Sequence, residues 1–159
     1  MVKEKISFEQ FIEVVEADHR PFIQDLHNYL VDSNCKVSIE AKKSGYLASY
    51  KYGKPPRAAV NLLFRKKGML VRIYGENVNK YLDILNTLPE DMVRSIENSS
   101  ECKRLVSNTC SPTCSGYDFI IGNERFQKCR YSCFEFLVTK ESIPRLKSFV
   151  EREIRERQS

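Results

Sequence analysis

The sequence has no apolar run approaching the roughly 18 residues of a membrane-spanning helix, and its opening stretch, Met1 to Phe8, is too polar for a secretory signal. A cytoplasmic protein without membrane contact is therefore expected. No Walker loop, dinucleotide-binding glycine fingerprint, His-Glu-x-x-His or Gly-x-Ser-x-Gly occurs, so the familiar phosphate, hydride, zincin and hydrolase signatures are missing and an enzyme reading is weakened. Histidine is scarce: His19 and His27 stand without cysteine or carboxylate at ligand spacing and read as polar surface or satisfied core groups. Six glycines in 159 residues rule out a collagen-like chain, and 42% apolar with 30% charged residues argues against wholesale disorder. The length suits a single domain spanning 1–159.

What is present is distributed unevenly. The net charge of +5 hides a segment, Lys36 to Arg72, with ten basic residues against the single acid Glu40. That segment carries +9 and leaves −4 for the rest of the chain. So lopsided a stretch attracts phosphates or an acidic partner, although solvated lysines also protect sheet edges.

Hydrophobic spacing supplies the elements. Phe8, Phe11, Ile12 and Val15 repeat at helical period behind a Ser7/Gln10 capping box, predicting a first helix that ends near Ala17. A second follows from Pro21 to Val31. Residues 36 to 74 switch to strand periods, predicting a four-stranded antiparallel meander with turns at 43–45, 53–56 and 66–68. Helices are expected from Val78 to Leu85 and after Pro89, where Glu90-Asp91 favours a helix N-terminus without any catalytic role, and a short helical turn near Cys102 to Val106. Tyr117 to Ile121 and Arg125 to Thr139, joined by Gly122-Asn123, read as a hairpin. A final helix carries Ile143, Leu146, Phe149, Val150 and Ile154, and its charged end, Arg152 to Arg157, reads as solvated. The fold class is α+β: an antiparallel sheet with N-terminal, middle and C-terminal helices plus a Cys-rich β-hairpin.

Five of the six cysteines lie between Cys102 and Cys133. In a reducing compartment such a cluster points to metal or redox chemistry before structural disulfides, while Cys35 stands apart as a small apolar residue. With Ile121 opposite Glu124, Gly116 falls opposite Cys129 and Cys114 opposite Tyr131. Cys102, Cys110, Cys114 and Cys129 then converge as a tetrahedral thiolate set, for which a structural zinc is the expected ion; an iron–sulfur cluster and redox or merely buried thiols are the alternatives. Cys133 competes with Cys129, but four residues of extended strand span roughly 13 Å, so the two are not expected on one ion. The spacing Cys-x7-Cys-x3-Cys-x14-Cys departs from the paired knuckles of a zinc ribbon.

The basic stretch interleaves Tyr46, Tyr50, Tyr52 and Tyr74 with Lys51, Lys54, Arg57, Arg65, Lys66, Lys67 and Arg72, a mixture suited to stacking bases and neutralising phosphates, or to an anionic ligand held near Arg72 and Tyr74. Lys-Tyr-Gly-Lys-Pro-Pro followed by Asn-Leu-Leu-Phe-Arg-Lys-Lys-Gly, within Tyr50 to Tyr74, resembles small uncharacterised bacterial α+β domains of the YdhG and YjbR type. That resemblance covers about a third of the chain and implies the fold class alone. The expected function is a small zinc-stabilised binding domain whose basic sheet takes an anionic partner, nucleic acid included; a redox protein or other enzyme using Cys114 or Cys129 is the alternative.

Overall fold

A computed structural model describes residues 6–107, 109 and 116–159. Helix α1 (Phe8–Glu13) starts on the capping box read from the sequence: Ser7 Oγ accepts from the Gln10 amide at 3.2 Å, and Gln10 Oε1 accepts from the Ser7 amide at 2.9 Å. It stops short of Ala17. The Arg20 guanidinium donates to the carbonyls of Val15 and Glu13, each at 2.9 Å, and so satisfies acceptors that a longer helix would have used. Helix α2 (Arg20–Asp32) follows with Pro21 in its first turn, and Phe22, Ile23, Leu26 and Leu30 face inward. Cys35 is buried, and desolvation pushes its thiol up to about 11, as suits an inert apolar residue.

Among the described residues the strands form a five-stranded antiparallel sheet and a separate two-stranded ribbon. The sheet is β1 (Lys36–Lys42), β2 (Gly45–Tyr52), β3 (Arg57–Arg65), β4 (Gly68–Ile73) and β7 (Glu135–Leu137), in that order. Its first four strands are the expected meander. One face carries Ala48, Tyr50, Val60, Leu62, Val71, Ile73 and Phe136, all buried. Phe11 of α1 lies 6.5 Å from Tyr46 and 5.6 Å from Phe64, ring centre to ring centre, while His27 of α2 meets Tyr50 edge-on. Each fully buried side chain of this size contributes about 1.5–3 kcal/mol.

Between the sheet and the ribbon, the segment read as one helix from Val78 divides into a 3₁₀ turn, Val78–Lys80, and α3 (Leu82–Leu85). The break falls at Tyr81, whose backbone leaves the helical region at φ −143° and whose buried hydroxyl donates to Glu153. Helix α4 (Glu90–Glu97) follows Pro89 as expected, with Glu90 and Asp91 in its first turn. Lys128 donates to the carbonyls of Glu97 at 2.9 Å and Ser99 at 3.1 Å, placing a buried cation at the end of α4. Helix α5 (Lys103–Val106) is the short turn predicted there.

The ribbon pairs β5 (Tyr117–Ile121) with β6 (Glu124–Lys128), and Ile121 faces Glu124 as read from the sequence. Gly122 takes the left-handed φ of 61° that this two-residue turn needs. Phe119 and Phe126 stack at 5.5 Å, and Phe119 meets Phe134 at 5.3 Å, so the ribbon seals one end of the core. Two expectations are corrected. The returning strand does not run from Arg125 to Thr139: Ser132 and Cys133 donate back to the Cys129 carbonyl at 3.2 and 3.0 Å, making a helical turn. That turn drives Phe134 into the core and sends β7 to the edge of β4, where Arg72 faces Glu135 and Leu70 faces Leu137. The hairpin is also not Cys-rich within its strands, since Tyr117–Ile121 and Glu124–Lys128 contain no cysteine.

Helix α6 (Ile143–Gln158) crosses the covered face of the sheet through Leu146, Phe149, Val150 and Ile154. Its charged end is solvated only in part: Arg155 is exposed, but two of its charges are withdrawn from water. Glu153 is 1% exposed, and the Arg157 side chain only 6%.

Candidate anion-binding face and cysteine cluster

The opposite face, left uncovered by α1, α2 and α6 although Asn61, Leu63, Leu70 and Tyr74 on it are buried, is ordered by register. Ser38, Ser49, Asn61, Arg72 and Glu135 lie opposite one another strand by strand, forming a polar row across all five strands. Beside it runs an apolar row in which Leu63 faces Leu70 and Leu70 faces Leu137. Glu135 holds two of the expected anion-binding residues: Arg72 at 2.9 Å and Arg65 at 4.0 Å.

The expected cations do not form one patch. Lys51, Lys54 and Arg57 sit at one end of the meander, whereas Arg65, Lys66 and Lys67 sit at the other, and eight residues of β3 between Arg57 and Arg65 span roughly 26 Å. Arg57 is engaged by Glu76 at 2.9 Å. Lys51 faces Lys36, a residue missed in choosing candidates from sequence, directly across the β1–β2 pair. Neither lysine has an ion-pair partner among the described residues, nor do Lys54, Lys66 and Lys67. The signal for Lys36 was its alternation with Ser38 on the uncovered face, legible only once the register is known.

The tyrosines divide between faces. Tyr50 is buried on the covered face, and Tyr46 packs against Phe11 there. Tyr74 belongs to the uncovered face, where Asn61 Nδ2 donates to its hydroxyl at 3.3 Å. Arg130 lies 5.2 Å over the Tyr74 ring and 5.5 Å over that of Tyr131, which meets Tyr74 edge-on and is 53% exposed. Tyr131 is thus an accessible aromatic beside the Arg130 guanidinium, another residue that sequence spacing did not single out.

Behind this end lies a buried ionic network. Glu153 accepts from Arg157 Nε at 2.8 Å, from the amide and side chain of Asn77 at 3.0 and 2.9 Å, and from the Tyr81 hydroxyl. Arg157 also donates to the carbonyls of Ala58 at 3.0 Å and Tyr74 at 2.8 Å, tying α6 to the sheet. Glu76 joins Arg57 to Arg130. Burial, followed by the Glu153 carboxylate, pushes the Tyr81 hydroxyl far above its ordinary range, so it stays a donor.

Of the four expected zinc ligands, Cys110 and Cys114 lie outside the described residues. Cys102 and Cys129 flank a single bridge between Glu101 and Lys128: the Cys102 amide donates to Gln127 at 3.0 Å and the Cys129 amide to Ser100 at 2.8 Å. Cys102 packs so tightly on Gly116 that a Cβ there would lie 2.7 Å from the Cys102 Cβ. The separation argued for Cys129 and Cys133 is corrected, because the two are joined across one helical turn. Burial raises the Cys133 thiol well above its ordinary value, which makes it a poor thiolate. Among the described residues no group of three or more histidines, cysteines or carboxylates is placed to hold a metal ion. No described helix is long and apolar enough to cross a membrane. No family model, curated protein or solved structure matches the chain.

Proposed function

We propose that the protein is a binding module whose uncovered sheet face takes single-stranded nucleic acid. The observation that carries this reading is the Lys36–Lys51 pair: two like charges directly opposite on adjacent strands destabilise a sheet, and no described acid relieves them. A phosphate backbone would. Exposed Tyr131 beside Arg130 supplies a face on which a base stacks, and Lys54 extends the cationic end. Arg65, Lys66 and Lys67 receive the strand at the far end of β3.

The test is anisotropy of a labelled twelve-nucleotide RNA and its DNA counterpart over a salt series. Affinity is expected to fall with salt, and Lys36→Gln with Lys51→Gln to reduce the slope by about 0.7 per lysine. Charge reversal at Arg65, Lys66 and Lys67 weakens binding further, and Tyr131→Ala removes about 1–3 kcal/mol. Absent or salt-independent binding overturns the proposal.

A second reading concerns stability: Cys102, Cys110, Cys114 and Cys129 hold a structural zinc. It is supported by the contact of Cys102 with Gly116, two residues beyond Cys114 in sequence, and by Cys102 and Cys129 flanking the bridge between Glu101 and Lys128. One zinc per chain, lost together with thermal stability in Cys114→Ala, is the expected result of elemental analysis on untagged protein. A brown protein would instead indicate iron–sulfur, and metal-free anaerobic protein whose thiol count changes reversibly with oxidant would indicate the redox alternative.

A further inference from the structure

Between the β3–β4 turn, β7 and α4 lies a cleft of about 630 Å³, within the usual size range for small-molecule sites. Its floor is apolar, built by Leu70, Leu137 and Met92. One wall is the tight turn carrying Lys66 and Lys67, fixed by the pairing of Arg65 with Gly68, with Arg65 beside it. The opposite wall carries Asp91 from the first turn of α4. Glu135 also lines the cleft, but its carboxylate is neutralised by Arg72 at 2.9 Å and Arg65 at 4.0 Å. Among the described residues Lys66 and Lys67 therefore carry the free positive charge of the cleft and Asp91 the free negative charge, and with the leucines between them they select an occupant by sign as well as by shape.

We infer that this cleft binds a small amphipathic monoanion, an apolar body of roughly eight to twelve carbons whose single carboxylate is held at Lys66 and Lys67. Asp91 repels a second negative group, so a dicarboxylate is disfavoured. The cleft shares Lys66 and Lys67 with the nucleic-acid reading, whereas Lys36, Lys51 and Tyr131 belong to that reading alone, so substitutions there separate the two.

Sodium decanoate, kept below micelle formation, is titrated into isotope-labelled protein by amide NMR, with calorimetry for affinity. Saturable shifts centred on Leu70, Ser95 and Leu137 are expected. Lys66→Glu with Lys67→Glu, both exposed turn residues, should lower affinity by about tenfold or more, and Asp91→Asn should raise it by about two- to threefold. Lys36→Gln with Lys51→Gln should leave it unchanged, and decylammonium should not compete. Failure to bind decanoate, binding mapped elsewhere, or affinity indifferent to the Lys66 and Lys67 reversals would overturn the inference; amide spectra of each variant confirm that it is folded.

Discussion

Arg157 Nε donates to Glu153 Oε2 at 2.8 Å one turn away on α6, and both side chains are shut off from solvent by the sheet they cross. Removing one partner of a buried pair leaves an uncompensated charge, which costs about 3–5 kcal/mol. Glu153→Ala is expected to lose stability in that range in urea melts. Arg157→Ala should also destabilise, because the Ala58 and Tyr74 carbonyls lose their donor. A double-mutant cycle should give a favourable coupling on the order of 1–3 kcal/mol; near-additive losses would refute the pairing as a source of stability.

The Tyr50 hydroxyl lies 2.6 Å from His27 Nδ1, and Phe8 stacks on the same imidazole at 3.7 Å. Burial lowers the His27 pKa below its ordinary value of about 6.5, with Glu9 opposing the shift. The folded state therefore binds fewer protons here than the unfolded chain. Stability from this site is fully present above about pH 6.5 and is lost as pH falls through the lower folded value. Thermal melts across pH 7.5 to 5 should show that decline in the parent and a flatter limb in His27→Gln; equal slopes would remove His27 as the cause.

The Tyr117 hydroxyl is buried and has no hydrogen-bond partner among the described residues. Its ring packs on Phe134 at 5.0 Å. An unpaired buried hydroxyl is a liability, so Tyr117→Phe should leave stability unchanged or raise it by up to about 1 kcal/mol. A clear loss on chemical denaturation would reveal that the hydroxyl has a partner in solution.

Gly116→Ala would force a Cβ to 2.7 Å from the Cys102 Cβ and 3.2 Å from the Lys128 carbonyl. Overpacking of this kind costs about 1–3 kcal/mol. In a Cys102→Gly background the same substitution should cost measurably less. An undiminished penalty would mean that the Lys128 carbonyl, rather than Cys102, sets the limit.

The meander, the capping box at Ser7, the Gly122-Asn123 turn and most helices were legible locally, because period, caps and turn residues act within a few positions. The Gly122 turn even set the ribbon register correctly as far as Tyr117 opposite Lys128. What failed did so at Cys129. Strand periodicity continues through Arg125 to Thr139, yet burying Phe134 and pairing Glu135–Leu137 with β4 outweighs one continuous hairpin, and that competition involves contacts far away in sequence. The charged end of α6 misled for the same reason: composition said water, whereas the fold supplied Tyr81, Asn77 and two carbonyls to receive Glu153 and Arg157.

By itself the sequence determined the element types, the antiparallel meander and the excess of positive charge, all of which follow from residue identity and short-range spacing. Only the tertiary structure decided which cations share a face, that Lys36 stands opposite Lys51, and that Arg65, Lys66 and Lys67 border a cleft with Asp91 across it. Those relationships depend on strand register and on where α4 lies against β7, and neither is encoded within any single stretch of chain.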